Sequence, residues 1–265
     1  MDKIPPPQKM FLWKRPLLAQ AGNCMRRIGA WLYGCYTWIV FAVLLLAFGG
    51  LAMLSGRVVR ARRLARFFAR SMFRLAGIPL SVTGLDRLPA QPHVLLANHT
   101  SFLDALVLTA LLPASPGYTF ITRQEFPLQI LLFPFLKSVR TIVLKPPGKM
   151  RHGQNMDILR SALERGENLI LFPEGKFTPE PGLRPFHSGA FVAAAEAKVP
   201  IVVAGLRGAR RTLRLGTWLP KRTPIALEIG PTLTPCGMDM EAVHTFMAVV
   251  RMAMMPLTGE QGRAA

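Results

Sequence analysis

Between Gly29 and Ser55 the chain carries no charged residue. That run of about 27 residues exceeds the roughly 20 that a helix needs to cross the hydrocarbon of a bilayer. Three placements are open to it. It can span a membrane, it can dip into one leaflet as a re-entrant hairpin with Gly49 and Gly50 at its bend, or it can lie buried as a core helix. Trp31, Tyr33, Tyr36 and Trp38 gather near its start, as in the aromatic belts of membrane–water interfaces. The run is too long and starts too late for a cleaved signal peptide. Arg26 and Arg27 precede it, whereas Arg57, Arg60, Arg62, Arg63 and Arg66 follow, so the positive-inside rule puts the downstream portion on the cytoplasmic side.

Charge narrows the choice of partner. The chain has 33 Lys and Arg against 14 Asp and Glu, a formal net charge of +19, and 51% of its residues are hydrophobic. Such a balance calls for an anionic partner, either nucleic acid or an acidic membrane surface. The cations flank a membrane-length apolar run and no nucleic-acid motif is present, so an anionic membrane surface is expected and nucleic acid is not. From Val58 to Leu75, Leu64, Phe67, Phe68, Met72 and Leu75 fall on one helical stripe, with Arg62, Arg66, Arg70 and Arg74 on another. A basic amphipathic helix of this kind can lie among lipid headgroups or pack on a domain with its arginines in water. Cys24, Cys35 and Cys236 are far apart and lack metal-ligand spacing, so neither a disulfide framework nor a zinc site is expected, and the compartment is reducing.

Downstream of the apolar run, short apolar stretches alternate with helical patterns. Strands are expected near 80–83, 94–97, 119–122, 141–144, 169–172, 201–204 and 225–229, and helices near 102–112, 156–165, 190–198 and 240–254. This alternation predicts an α/β fold, a largely parallel sheet covered by helices on both faces. The organisation is then an N-terminal arm over 1–28, a membrane anchor with its basic helix over 29–78, one α/β domain over 79–258, and a polar tail over 259–265.

The strand Val94 to Ala97 gives way to a helix across Asn98-His99-Thr100-Ser101-Phe102-Leu103-Asp104. Ligands bind beyond the carboxyl ends of strands in open α/β sheets, which makes His99 a candidate base and Asp104 its orienter. Ser101-Phe102-Leu103-Asp104 also fits a capping box, in which Asp104 serves the helix N-terminus alone. A second apolar run, Asn168 to Phe172, ends in Pro173-Glu174-Gly175-Lys176-Phe177-Thr178 and places Glu174 at the end of another strand.

An N-H-x-x-x-x-D motif followed some tens of residues later by F-P-E-G resembles the lysophosphatidate (1-acyl-sn-glycerol-3-phosphate) acyltransferase family. The similarity runs from about Leu80 to Pro231. It continues through Leu183-Arg184-Pro185-Phe186 and Ser188-Gly189-Ala190-Phe191 to Val199-Pro200-Ile201, where Val203 replaces the second Pro of the family's V-P-I-x-P-like segment.

The resemblance implies a glycerolipid acyltransferase-like fold and an enzyme of phospholipid biosynthesis. It would carry acyl groups from acyl-CoA or acyl-acyl carrier protein to the free sn-2 hydroxyl of lysophosphatidate, giving phosphatidate. It implies His99 as general base and Asp104 as the residue that fixes its tautomer. Glu174 and Gly175 are carried over as acceptor-binding residues. Two departures affect the acceptor. Family members often read F-P-E-G-T-R-S, with an Arg suited to a phosphate, where this chain has Lys176, Phe177 and Thr178; Lys176 or Arg184 is the replacement cation. Lys145 stands where an apolar strand of the family ends in Arg, and Arg123 matches another basic position. Other lysophospholipids or lyso-aminolipids are therefore alternative acceptors, and a non-catalytic protein that binds anionic lipid is the alternative class. No metal and no cofactor is implied. The expected location is a membrane, the bacterial inner membrane, with the catalytic domain on its cytoplasmic face. His93, His152, His187 and His244 lack an acidic partner at motif spacing and read as structural or solvated.

Overall fold

The computed structural model describes residues 14–123, 127–144 and 154–260, with side chains over 24–122, 133–144 and 154–260. Lys145 and His152 lie outside the described residues, as does the side chain of Arg123, which closes a strand.

The apolar run is one continuous helical rod. Helix α1 (Lys14–Leu44) passes through a π-helical turn (Leu45–Gly49) into α2 (Gly50–Leu54). The rod starts inside the expected arm. Pro16 sits in its first turn, where a missing N–H costs nothing, and Leu17, Leu18, Ala19 and Gln20 are strong helix formers. Within it, Cys24–Leu54 is long and apolar enough to cross a membrane, with a mean hydropathy of 2.4. The core-helix placement fails, because Leu32, Leu46 and Leu54 are 67%, 79% and 85% exposed. The bend also moves. Gly49 and Gly50 are ordinary right-handed helix, and the chain reverses at Gly56, whose φ of 63° is one that a side chain would disfavour.

After this reversal α3 (Val58–Leu75) folds back beside the rod, burying Ala61, Ala65, Phe68, Ala69, Met72 and Phe73. The buried face is turned toward the alanines, whose small side chains allow close approach, and Phe67 and Leu75 stay exposed. The arginine row divides likewise. Arg62 donates to the carbonyls of Val139 and Pro116 and to Thr119 Oγ1 at 2.9 Å, and Arg66 reaches the carbonyls of Ala110 and Leu111. Arg57, Arg60, Arg63, Arg70 and Arg74 remain exposed.

The rod is tied to the domain at several levels. Trp31 meets Trp218 edge-on at 4.5 Å, Trp38 Nε1 donates to the Trp218 carbonyl at 2.7 Å, and Tyr33 donates to the carbonyl of Ala76 at 2.8 Å. Further along, Phe41 packs on Phe68 and Phe48 on Phe67.

The sheet has seven strands: β1 (Leu80–Thr83), β2 (Val94–Ala97), β3 (Tyr118–Arg123), β4 (Ile142–Leu144), β5 (Asn168–Leu171), β6 (Ile201–Arg207) and β7 (Ile225–Leu233). Their order is β1-β7-β6-β2-β5-β3-β4, and every pairing is parallel except β6 with β7. The connecting helices are α4 (Asp104–Leu111), α5 (Pro127–Ser138), α6 (Gln154–Glu164), α7 (Gly189–Glu196), the short α8 (Ala209–Thr212) and α9 (Met240–Thr258). The predicted largely parallel sheet is observed. Helices α5 and α8 were not expected, since α5 is apolar all round with Pro134 inside it and α8 is a single turn.

Strand pleating explains how both faces are covered. Leu95 and Ala97 of β2 join Val202, Ala204 and Leu206 of β6 in one cluster with Phe68, Met72 and Phe73, and Val40, Phe41, Leu44, Leu45 and Phe48 of the rod pack against it. Val94, Leu96, Ile201 and Val203 point the other way, into a cluster with Leu159, Phe191, Val243, Val250 and Met254. Consecutive strand residues face opposite sides, so a parallel sheet buried on both faces needs apolar residues at every position.

Candidate active site

Because β2 and β5 are parallel neighbours, with Val94 opposite Leu169 and Leu96 opposite Leu171, both chains leave the sheet on the same edge. The segments that follow them meet there. Asn98 latches the end of β2 to β6, donating to the Leu206 carbonyl at 3.0 Å and accepting its N–H at 2.6 Å. The His99 backbone N–H donates to Glu174 Oε1 at 2.7 Å, and Glu174 Oε2 accepts the Arg184 N–H at 2.8 Å. Glu174 is 3% exposed, and one carboxylate thus fastens three segments. Burial raises its pKa; the two N–H donors and His99 lower it again, and Glu260 adds to the rise.

His99 Nδ1 lies 2.8 Å from Asp104 Oδ2. That oxygen also accepts the backbone N–H groups of Thr100, at 2.5 Å, and Ser101, at 2.8 Å. Asp104 is fully buried. The turn that leads into α4 and the histidine are therefore held by the same carboxylate. A carboxylate accepts from all three, which puts the imidazole proton on Nδ1 and leaves Nε2 with its lone pair.

Three phenylalanines build the wall of this site. Phe172 stacks on the His99 ring at 4.2 Å, Phe177 meets it edge-on at 4.5 Å, and Phe102 packs against Phe177 at 4.7 Å. Phe172 also belongs to the rim of the cluster that receives the rod, so apolar packing is continuous from the rod to the imidazole. Of the expected acceptor residues, Gly175 takes a φ of 71° in the turn, Lys176 is exposed, and Arg184 has a buried Nη1 without a hydrogen-bond partner among the described residues. His93, by contrast, is buried at the far end of β2, between the Gln91 carbonyl and the Tyr118 hydroxyl.

Residues 79–207, which hold all of these contacts except those of Glu260, match the Acyltransferase family. The chain is 31% identical over 193 residues to the 1-acyl-sn-glycerol-3-phosphate acyltransferase of Saccharomyces cerevisiae, covering 67% of this chain and 61% of that protein. Residues 79–207 thus form an Acyltransferase-family domain, similar to that of lysophosphatidate acyltransferases. Among similar family members is the human 1-acyl-sn-glycerol-3-phosphate acyltransferase beta, 31% identical over 153 residues, 56% of this chain and 53% of that one. A lyso-ornithine lipid O-acyltransferase of Pseudomonas aeruginosa is 31% identical over 140 residues, 53% of this chain and 52% of that one. The match thus spans between half and two thirds of these relatives. In fold, the chain resembles the crystal structure of the 1-acyl-sn-glycerophosphate acyltransferase PlsC from Thermotoga maritima, with a TM-score of 0.71 at 19% identity over 88% of this chain and 97% of that one.

Against this family background the aromatic wall is the feature that motif reading missed. Phe177 stands at the Arg position of F-P-E-G-T-R-S. Its replacement was visible in the sequence; its contact with His99 was not.

Proposed function

We propose that the chain transfers a fatty acyl group from acyl-CoA or acyl-acyl carrier protein to the sn-2 hydroxyl of lysophosphatidate, giving phosphatidate. The observation that carries this reading is the His99–Asp104 contact, with Nε2 left as the basic nitrogen. Nε2 takes the hydroxyl proton as the acceptor oxygen attacks the thioester carbonyl carbon. The tetrahedral adduct then collapses, the C–S bond breaks, and the departing thiolate recovers the proton from the imidazolium. The products are an ester and a free thiol.

In this reading Glu174 holds the site together, since its two oxygens are engaged by backbone N–H groups, and Gly175 lets the acceptor approach the turn. Arg184, whose buried Nη1 has no hydrogen-bond partner among the described residues, supports a role as ligand of the acceptor phosphate. Lys176, Lys145 and Arg123 are the further cations proposed for it. A second reading, a lyso-aminolipid acceptor, draws on Phe177 at the family's Arg position and on the name of the Pseudomonas relative.

The rod supports an anchor. Its contacts with the domain begin at Trp31 and continue to Phe48, while its outer face exposes Leu32, Ile39, Val43 and Leu46. This arrangement suits a helical hairpin seated in one leaflet, with the exposed arginines of α3 toward anionic headgroups. The cytoplasmic face of a bacterial inner membrane is the proposed location.

The test is acyl transfer by detergent-purified wild type and His99→Ala, with both donor types and a panel of lyso-lipids beginning with lysophosphatidate. Transfer by the wild type that is lost in the variant supports the reading. A folded wild type that transfers to no acceptor overturns it in favour of a non-catalytic lipid-binding protein.

A further inference from the structure

Glu260 lies beyond α9, in the stretch that the sequence reads as a polar tail. It is not loose. Gly259, with a φ of 64°, turns the chain back at the end of the helix, and the Glu260 N–H donates to Thr258 Oγ1 at 3.1 Å. Its carboxylate takes a two-point contact from Arg210 of α8, Nε to Oε1 at 3.0 Å and Nη2 to Oε2 at 3.1 Å. The pair is largely shielded, with side chains 15% and 18% exposed.

Both members reach the segment between the F-P-E-G turn and Arg184. Arg210 Nη1 donates to the Thr178 carbonyl, and the Gly182 N–H donates to Glu260 Oε2 at 3.0 Å. Thr178, the near end of the pinned span, adjoins Phe177, and at the far end Arg184 closes on Glu174. A segment held at 178, 182 and 184 has little freedom at 177, where the phenyl ring rests on His99.

We propose that Arg210 and Glu260 form a buckle that positions Phe177 against His99 and so sets how the acceptor fits beside the base. The buckle acts through the loop and touches no reacting atom, so both are positioning residues. The proposal rests on His99 as the base of an acyl transfer. Its energetic logic is that of a shielded fork: removing one partner leaves the other poorly solvated and frees the loop backbone group that partner held, the Thr178 carbonyl for Arg210 or the Gly182 N–H for Glu260.

The test compares wild type with Glu260→Gln and Glu260→Asp. For Glu260→Gln we expect the acceptor KM to rise about tenfold while the donor KM holds and kcat changes by less than about twofold, because the misplacement affects fit beside the base. Glu260→Asp keeps the carboxylate and is expected to stay within about threefold of wild type. Modification of His99 by diethyl pyrocarbonate, followed on its tryptic peptide, is expected to quicken about fivefold in Glu260→Gln as the phenyl ring lifts. Unchanged acceptor KM and unchanged His99 modification overturn the buckle. If the wild type transfers to no acceptor, the catalytic reading falls, and the modification rate alone decides whether the buckle holds Phe177.

Discussion

Asp104 Oδ2 sits 2.8 Å from His99 Nδ1 and simultaneously takes the N–H groups of Thr100 and Ser101. One atom thus holds both the turn before α4 and the imidazole, and the two roles cannot be removed separately.

His99→Ala and Asp104→Asn should therefore differ in kind. The first removes a partly exposed ring and is expected to lower turnover about 10²- to 10⁴-fold with little change in Tm. The second points an amide at three N–H donors, and should cost both turnover and about 1–3 kcal/mol of stability. Steady-state rates and thermal unfolding of the two variants, measured side by side, check this.

Phe177→Arg restores the cation of the usual family segment. If lysophosphatidate is taken at this site, its kcat/KM should rise relative to that of a lyso-lipid without a phosphate monoester, by about tenfold for one fork-shaped contact. An unchanged ratio would show that the residue at 177 does not face the headgroup.

The His93–Tyr118 pair predicts an acid-sensitive fold. Burial lowers the His93 pKa below 6.5, opposed in part by the Gln91 carbonyl, and burial raises that of Tyr118, so both are neutral in the folded state at neutral pH. Below pH 6.5 the unfolded chain binds a proton that the folded chain resists. This stabilisation is fully present above 6.5 and is lost as pH falls toward the lowered value. The Tm advantage of wild type over His93→Gln should shrink between about pH 7.5 and about pH 5.5.

Gly205→Ala tests how the end of α9 is seated. A Cβ at Gly205 would collide with Leu257 Cβ and, at 2.5 Å, with the Leu257 carbonyl, so backbone must move. The expected cost is about 1–3 kcal/mol. Since Leu257 precedes Glu260 closely, the variant should also show the raised acceptor KM of Glu260→Gln.

Much of the architecture was legible because the sheet is buried on both faces. Uninterrupted short apolar runs such as Val94 to Ala97, bounded by polar residues, suit such strands, whereas the strand order that makes β2 and β5 neighbours came from the structure alone. His99 and Asp104 were legible as a candidate pair from their spacing, and Glu174 from the F-P-E-G resemblance. What escaped was of another sort. The turn at Gly56 was hidden behind a Gly pair that is more conspicuous yet stays helical. The loss of Arg62 and Arg66 from the outer row depended on carbonyls at Ala110, Pro116 and Val139, contributed by segments far along the chain. The Arg210–Glu260 contact joins residues 50 positions apart with no shared motif. Local pattern carries secondary structure; pairings set by tertiary approach leave no periodic trace.

The tie between Trp38 and the Trp218 carbonyl spans 180 residues. At typical synthesis rates of 5–20 residues per second, the apolar rod leaves the ribosome about 10–40 s before the segment that will clasp it exists. During that interval Trp31 and Trp38 lack their partner Trp218, although Tyr33 and Tyr36 can already reach the end of α3. If the rod is the anchor proposed above, lipid shelters its exposed face first and the domain then closes onto an element already delivered, so that targeting precedes the last step of folding.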